Sequence, residues 1–440
     1  MNLALVCTEK LPSPAIKGGA IQMMIDGVVP FLKTNHKLTI FSVSDPLLQN
    51  VEEQENVTYI RVSRLNYIQN VAAKLAKLPP FDVIHVFNRP KAIPVYRDAS
   101  PESQFVLSLH NEMFAEKKLS DEEGHLAVQA VCSIMTVSEY IRGTVIQRFP
   151  DAAAKTHVVY SGVDLAKFEP KWTERGQEIN SQLKNKNGLS GQKVILFIGR
   201  LSRTKGPHLL IQALPNVLER FPNTVLVICG GKWFSDNRPN DYVRKLHNMA
   251  KPLGEHVRFT QYVPHDKIPY SYLLGDVFVC SSQWQEPLAR VHYEAMAAGI
   301  PLITTKRGGN AEVITHMHNG IVLKNYANPA NFAAAICDMF DHPDKAMEFS
   351  LNGRAFVESN HQFCHVAERL ETIYVKAFNE KSFEQDNETK TNENDNEITS
   401  NEENRILQSS NDLPLDQSYN IKATNHEQWI FDRGYSKRKR

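Results

Sequence analysis

The chain has 440 residues, with 50 Lys and Arg set against 49 Asp and Glu, for a formal charge of +1. So even a balance creates no global field toward nucleic acid or anionic lipid, and any anion must be held by a local site. The length and a 42% hydrophobic content allow two or three domains with sizeable cores, and no apolar stretch approaches the roughly 20 residues that span a bilayer.

The amino terminus, MNLALVCTEK, has a short apolar run without a basic lead or a cleavage-site pattern, so it reads as a first strand of a cytoplasmic protein. The runs LALVC, KLTIFSV, VTYIRV, DVIHVF, FVLSLH and SIMTVS follow as strands. Those that are apolar on both faces imply a buried, mostly parallel sheet. GGAIQMMIDGVVPFLKT, between the first two, reads as a helix. This alternation predicts a doubly wound α/β domain. The polar stretch EPKWTERGQEINSQLKNKNGLSGQ breaks the pattern, which restarts near Val194. VILFIG, TVLVICG, VRFTQYV, DVFVCSS, PLITT and GIVL alternate there with helical segments, so a second domain of the same class is expected. Beyond about Glu380 the chain turns rich in Asn, Glu, Asp and Thr, then ends on the basic YSKRKR. Such a composition cannot offset the entropy of ordering, and 380–440 is expected to be disordered. Six cysteines, none in a C-x-x-C pair and most in apolar runs, are expected as reduced core thiols.

Ligands of doubly wound sheets bind where strands end and helices begin. In VILFIGRLSRTKGPHLL, Arg200 follows a strand and Lys205 precedes Gly206 and a helix, a fork and a point charge suited to a diphosphate. The spacing does not match the phosphate loop G-x-x-x-x-G-K-[ST]. In QEPLARVHYEAMAAG, Pro287 suits the first turn of a helix. Glu286 would then stand at the helix mouth, with the free N–H groups of Leu288, Ala289 and Arg290 forming an anion-binding end. Eight positions on, Glu294 would be rotated by only about 80°, along the flank, where a carboxylate can accept bonds from ribose hydroxyls. His110 ends the strand in LSLHNE and can meet a sugar hydroxyl. Gly18 and Gly19 offer close backbone approach before a helix, and Asn88 and Arg89 end another strand. The plain alternatives are a surface basic loop, a capping glutamate, a solvated helical glutamate, a structural histidine and a tight turn.

Together these residues resemble the retaining, nucleotide-sugar-dependent glycosyltransferases of family 4, which have the GT-B fold. The early GG loop, SLHNE, TVSEYI, YSGVD, GRLSRTKG, DVFVCSS, the E-x7-E pair in EPLARVHYE and GGNAEVI carry the resemblance, over about residues 1–375. VCSSQWQEPLARVHYEAMAAG and HNEMF resemble members that act in the spore coat of endospore-forming bacilli. The resemblance implies two Rossmann-like domains facing across a cleft: an acceptor-side domain at 1–166 and a nucleotide-sugar domain at 167–355. A helix at 356–379 would cross back to the first domain, with the tail beyond. It implies that Arg200 and Lys205 hold the donor diphosphate, Glu294 the ribose, Glu286 the transferred sugar and His110 its opposite side. Gly18 and Gly19 would abut the phosphates. Tyr262 and Val263 would lie by the base, and Pro287, Leu288 and Ala289 would border the donor, with the N–H groups of Leu288 and Ala289 offered to it. Glu286, His110, Lys205 and Arg200 are the catalytic candidates.

No bound metal and no cofactor beyond the donor are expected; a UDP-sugar is the foremost donor and a saccharide or glycoconjugate the acceptor. Other spore coat proteins are expected partners, in the mother-cell cytoplasm or the coat itself. The other readings are a coat scaffold that keeps the fold without turnover, and a GT-B epimerase or phosphorylase.

Overall fold

The computed structural model describes residues 1–231, 240–260 and 263–380. Tyr262 and the tail from 381 onward therefore lie outside the described residues.

The first sheet has eight strands: β1 Asn2–Val6, β2 Lys37–Val43, β3 Val51–Gln54, β4 Val57–Val62, β5 Val83–Phe87, β6 Gln104–Leu109, β7 Ser133–Thr136 and β8 Thr156–Val158. Their order is β3-β4-β2-β1-β5-β6-β7-β8, parallel except for the hairpin pair β3–β4. The second sheet has six parallel strands: β9 Lys193–Ile198, β10 Thr224–Cys229, β11 Val257–Phe259, β12 Val277–Cys280, β13 Leu302–Thr305 and β14 Ile321–Leu323. Its order, β11-β10-β9-β12-β13-β14, is the 3-2-1-4-5-6 winding of a dinucleotide-binding sheet. Strand order reverses between β1 and β5 in one lobe and between β9 and β12 in the other. The loops leaving those four strands therefore border the two crevices in which such sheets take ligands.

Burial on both faces explains why these runs form strands. All five residues of VIHVF and all six of TVLVIC are buried, as helices on each side of a parallel sheet require. Two short strands escape the sequence pattern. β3 is the polar VEEQ on an edge, and β8 is three residues long. The polar break before β9 contains a helix, Glu174–Lys186, in which only Gly176 is buried. It is polar nearly all round, so its periodicity is faint. Polar contacts hold it: Thr173 Oγ1 caps it by accepting the Gly176 N–H (3.0 Å), and Lys184 pairs with Asp276 (2.8 Å).

The crossing helix expected from 356 starts at 363 and is described to 380. Residues 356–360 are the end of the preceding helix, Pro343–Asn360. The break falls at His361 because its carbonyl is taken by the Val163 N–H (2.8 Å), where the outgoing chain bridges to Gln362. Past that point Phe363, Val366, Leu370 and Tyr374 join Leu3, Leu5, Ile25 and Val28 in one core cluster. The buried His85 ring bridges Tyr374 Oη (2.7 Å) and Ser108 Oγ (2.6 Å), fixing the helix to the first sheet. No disulfide joins the six cysteines; Cys7, Cys229, Cys280 and Cys337 are buried as core thiols, whereas Cys132 and Cys364 are only partly buried.

Candidate functional site

In the second lobe the site is built where the loops after β9 and β12 touch. Gly206 sits at φ 71, and a Cβ there would lie 2.1 Å from the Ser281 carbonyl oxygen. Only glycine permits that approach. The loops are fastened by Ser281 Oγ donating to the Lys205 carbonyl (2.9 Å) and by Gln283 N–H donating to the Thr204 carbonyl (2.7 Å). Across this seam Lys205 Nζ meets Glu286 Oε2 at 2.6 Å. Ser282 Oγ and Trp284 Nε1 donate to the same oxygen, each at 2.7 Å. Burial pushes the Glu286 carboxyl up, but the Lys205 charge and these three bonds outweigh it, and the carboxyl lies below its usual range. It is therefore ionised at neutral pH. Its other oxygen, Oε1, takes no bond among the described residues. Arg200 lies two residues past β9 and is partly buried.

The expected helix mouth at Pro287 is displaced. The helix runs Val291–Ala297, with Arg290 as its N-cap, so Glu286, Pro287, Leu288 and Ala289 precede it and Glu286 and Glu294 do not share one helix. A helix from Pro287 would need the Glu286 carbonyl to accept an N–H four residues on. That carbonyl instead accepts the Gly309 N–H (2.8 Å), and the Ala289 N–H goes to Asn310 Oδ1 (3.3 Å). The turn after β13 thus takes the carbonyl that would close a first helical turn, and occupies one of the N–H groups expected to be free for an anion. Leu288 and Ala289 are buried.

Glu294 is buried and accepts from Tyr272 Oη (2.9 Å), with Arg290 Nε 3.8 Å from its other oxygen. Arg290 also donates from Nη1 to Ser161 Oγ (2.9 Å) and the Gly162 carbonyl (3.2 Å), and its guanidinium lies 5.7 Å from the Phe363 ring centre. One side chain thus joins Glu294, the inter-lobe linker and the crossing helix. A cavity of about 630 Å³ opens here, lined by Glu294, Arg290, Ile268, Pro269, Asp26 and Lys167 among others. Val263 is partly buried against the main core cluster.

In the first lobe, Gly18 (φ 73) and Gly19 (φ 106) lead into the helix Ala20–Leu32. The φ of Gly19 is one that side chains rarely adopt, so this turn also requires glycine, whereas the atoms a Cβ would meet there, Gln22 Oε1 (2.6 Å) and Leu11 Cδ1 (2.7 Å), end side chains that could yield. Arg89 forks onto Glu9 (2.6 and 2.8 Å) across the crevice between β1 and β5. Asn88 Oδ1 accepts the His110 N–H (2.7 Å). The His110 ring stacks on Phe87 at 5.8 Å. Burial, and then the charge of Arg290 from the other lobe, lower its pKa to about 4. At neutral pH it is a neutral imidazole facing the second lobe.

Burial likewise lowers His292 and His361 to about 4, and His85 well below 6.5. Unfolded, each titrates near 6.5, so between 6.5 and 4 the unfolded chain binds protons that the folded chain refuses. The stability these residues leave intact above about pH 6.5 falls as pH drops, by at most about 1.4 kcal/mol per pH unit for each. Urea midpoints at pH 7 and pH 5 check this; an unchanged midpoint would contradict it.

The structure brings Lys205 and Glu286 into contact and sets His110 in the field of Arg290, while Glu294 occupies its own buried pocket under Tyr272. Sequence reasoning missed the side-chain roles of Ser282, Trp284 and Arg290, and missed Gly308, Gly309 and Glu312. The GGNAEVI and YSGVD stretches were the available signals for the last three and for the partners of Arg290. Among the described residues no group of three or more His, Cys, Asp or Glu side chains could hold a metal ion, and no helix is long and apolar enough to cross a membrane.

Two Rossmann-like sheets of this winding, one after the other in the chain, have the architecture of the GT-B class of glycosyltransferases. The chain belongs to the group 1 glycosyltransferases. The family described as Glycosyl transferases group 1 matches residues 180–356. YtcC of Bacillus subtilis (strain 168), named as a glycosyltransferase, is 51% identical over 382 residues, which is 87% of this chain and 94% of that one. Spore coat protein SA of the same organism is 46% identical over 376 residues, covering 86% of this chain and all of the relative. The fold matches Anabaena HepE, solved with UDP-glucose, at a TM-score of 0.68 and 23% identity, over 84% of this chain and 98% of that one.

Proposed function

We propose that the chain is a retaining glycosyltransferase that moves a hexose from a nucleotide-diphosphate sugar, foremost a UDP-sugar, to a saccharide or glycoconjugate acceptor during spore coat glycosylation or assembly. The supporting observation is the state of Glu286: one oxygen is saturated by Lys205, Ser282 and Trp284, and the other is left to accept sugar hydroxyls. Lys205 and Arg200 neutralise the diphosphate as the bond from the anomeric carbon to its oxygen breaks. The acceptor oxygen bonds to that carbon on the same face, and its proton passes to the departing phosphate. Glu294, oriented by Tyr272, accepts from the ribose hydroxyls, with the base toward Val263. Gly18 and Gly19 let the first lobe's backbone approach the phosphates, and neutral His110 bonds a hydroxyl of the sugar from the acceptor side. Cationic side chains neutralise the diphosphate charge that a metal would otherwise offset, so EDTA should leave turnover unchanged. The name of the relative spore coat protein SA supports the coat setting, with synthesis in the mother-cell cytoplasm and other coat proteins as partners.

The test is a panel of UDP-, GDP- and ADP-sugars, read first by melting temperature and then by nucleotide release with and without EDTA. A ligand at 100 times its Kd stabilises the folded state by about 2.7 kcal/mol. Failure of every donor to stabilise or react would refute the proposal. An inverted anomeric product would refute the retaining mechanism alone.

A further inference from the structure

The turn after β13 does more than displace a helix start. Gly308 (φ 54) is packed so that a Cβ would lie 2.0 Å from the Glu286 carbonyl oxygen, and Gly308 N–H donates to Gln285 Oε1 at 2.8 Å. Four residues on, Glu312 leaves its own lobe. Its carboxylate accepts the N–H groups of Glu139 (2.7 Å) and Tyr140 (2.8 Å), the first two residues of the helix Glu139–Arg148 in the first lobe. Tyr160 Oη donates to it as well (3.1 Å). A negative charge at a helix amino end is favoured by the dipole and by N–H groups that lack partners within the helix. Tyr140 in turn donates its hydroxyl to Glu112, two residues past His110. A continuous set of bonds therefore runs from Glu286, through the Gly308–Gly309 turn and Glu312, to the His110 loop.

We propose that Glu312 is a positioning residue: by gripping the amino end of the first-lobe helix, it holds the glycine turn against Glu286 and makes the placement of Glu286 depend on closure of the two lobes. The substrate roles of Glu286 and His110 are those of the proposed function, on which this inference rests. The grip itself is independent of them.

Glu312→Gln keeps one acceptor oxygen but turns an NH2 toward a second N–H, and Glu312→Ala removes both acceptors. The full chain is tested with UDP and with the active donor. Transfer kcat should fall about tenfold in the Gln variant and further in the Ala variant, while the Kd for UDP alone stays within twofold of wild type. Paired spin labels, one on each lobe, should show a broader inter-lobe distance in both variants. A merely structural role would instead lower the melting temperature and the apparent active fraction, with kcat per folded molecule and the distance unchanged; that result overturns the proposal. So does a Gln variant with wild-type kcat. If the wild-type chain transfers no sugar, the proposed function fails and the spin-label distance alone decides the role of Glu312.

Discussion

Lys205→Ala should lower kcat/KM for sugar transfer by on the order of 10²–10³, which corresponds to about 3–4 kcal/mol of transition-state stabilisation. The ammonium is the cation in contact with the site carboxylate, 2.6 Å from Glu286, and charge on the diphosphate grows as the nucleotide leaves. Folded stability should fall too, by about 1–3 kcal/mol, because Glu286 is 6% exposed and would lose one of its partners. The two losses separate in a cycle. Lys205→Met combined with Glu286→Gln removes both charges and should recover most of the stability while leaving transfer as low as in the single variant. Lys205→Arg keeps the charge but replaces a point donor by a planar fork, in a seam where Gly206 leaves no room to adjust, so it should stay impaired. Steady-state kinetics beside urea unfolding read both quantities. A Lys205→Ala enzyme within threefold of wild type would remove Lys205 from the chemistry.

Much of this arrangement was legible in the sequence because local signals agreed with the global fold. The strand runs are apolar on both faces, which a parallel sheet demands, and Arg200, Lys205, His110 and Glu286 each follow a strand by a few residues. What stayed hidden depends on contacts between segments distant in the chain. Pro287 reads locally as the first turn of a helix, and nothing within ten residues of it reveals that Gly309 takes the carbonyl such a turn would use and Asn310 an N–H it would leave free. The same holds for Glu294. The spacing of eight placed it along the flank of one helix shared with Glu286, and could not show that Tyr272 and Arg290 enclose it. The polar helix Glu174–Lys186 was invisible for the opposite reason: it buries too little to leave a period, and its anchors are lysine and threonine side chains. The joint between the helices at His361 follows from a bond to Val163, about two hundred residues earlier.

Gly308→Ala should be severely damaging. The added Cβ would stand 2.0 Å from the Glu286 carbonyl oxygen and 2.7 Å from its backbone nitrogen, neither of which belongs to a flexible side chain that could yield. The residue also sits at φ 54, where a side chain costs about 1–2 kcal/mol before any clash. Overpacking a tight contact adds about 1–3 kcal/mol, for a total of about 2–5 kcal/mol. Since the turn must move away from the backbone of Glu286, transfer should fall by 10² or more in the fraction that folds. Gly188→Ala provides the control. It has a similar φ of 64 with nothing within 4 Å of the new Cβ, so it should show the backbone cost alone and keep wild-type kinetics. If the two variants unfold at the same urea concentration and turn over equally, contact between the glycine turn and Glu286 is not what holds the carboxylate in place, and its bonds to Lys205, Ser282 and Trp284 must suffice.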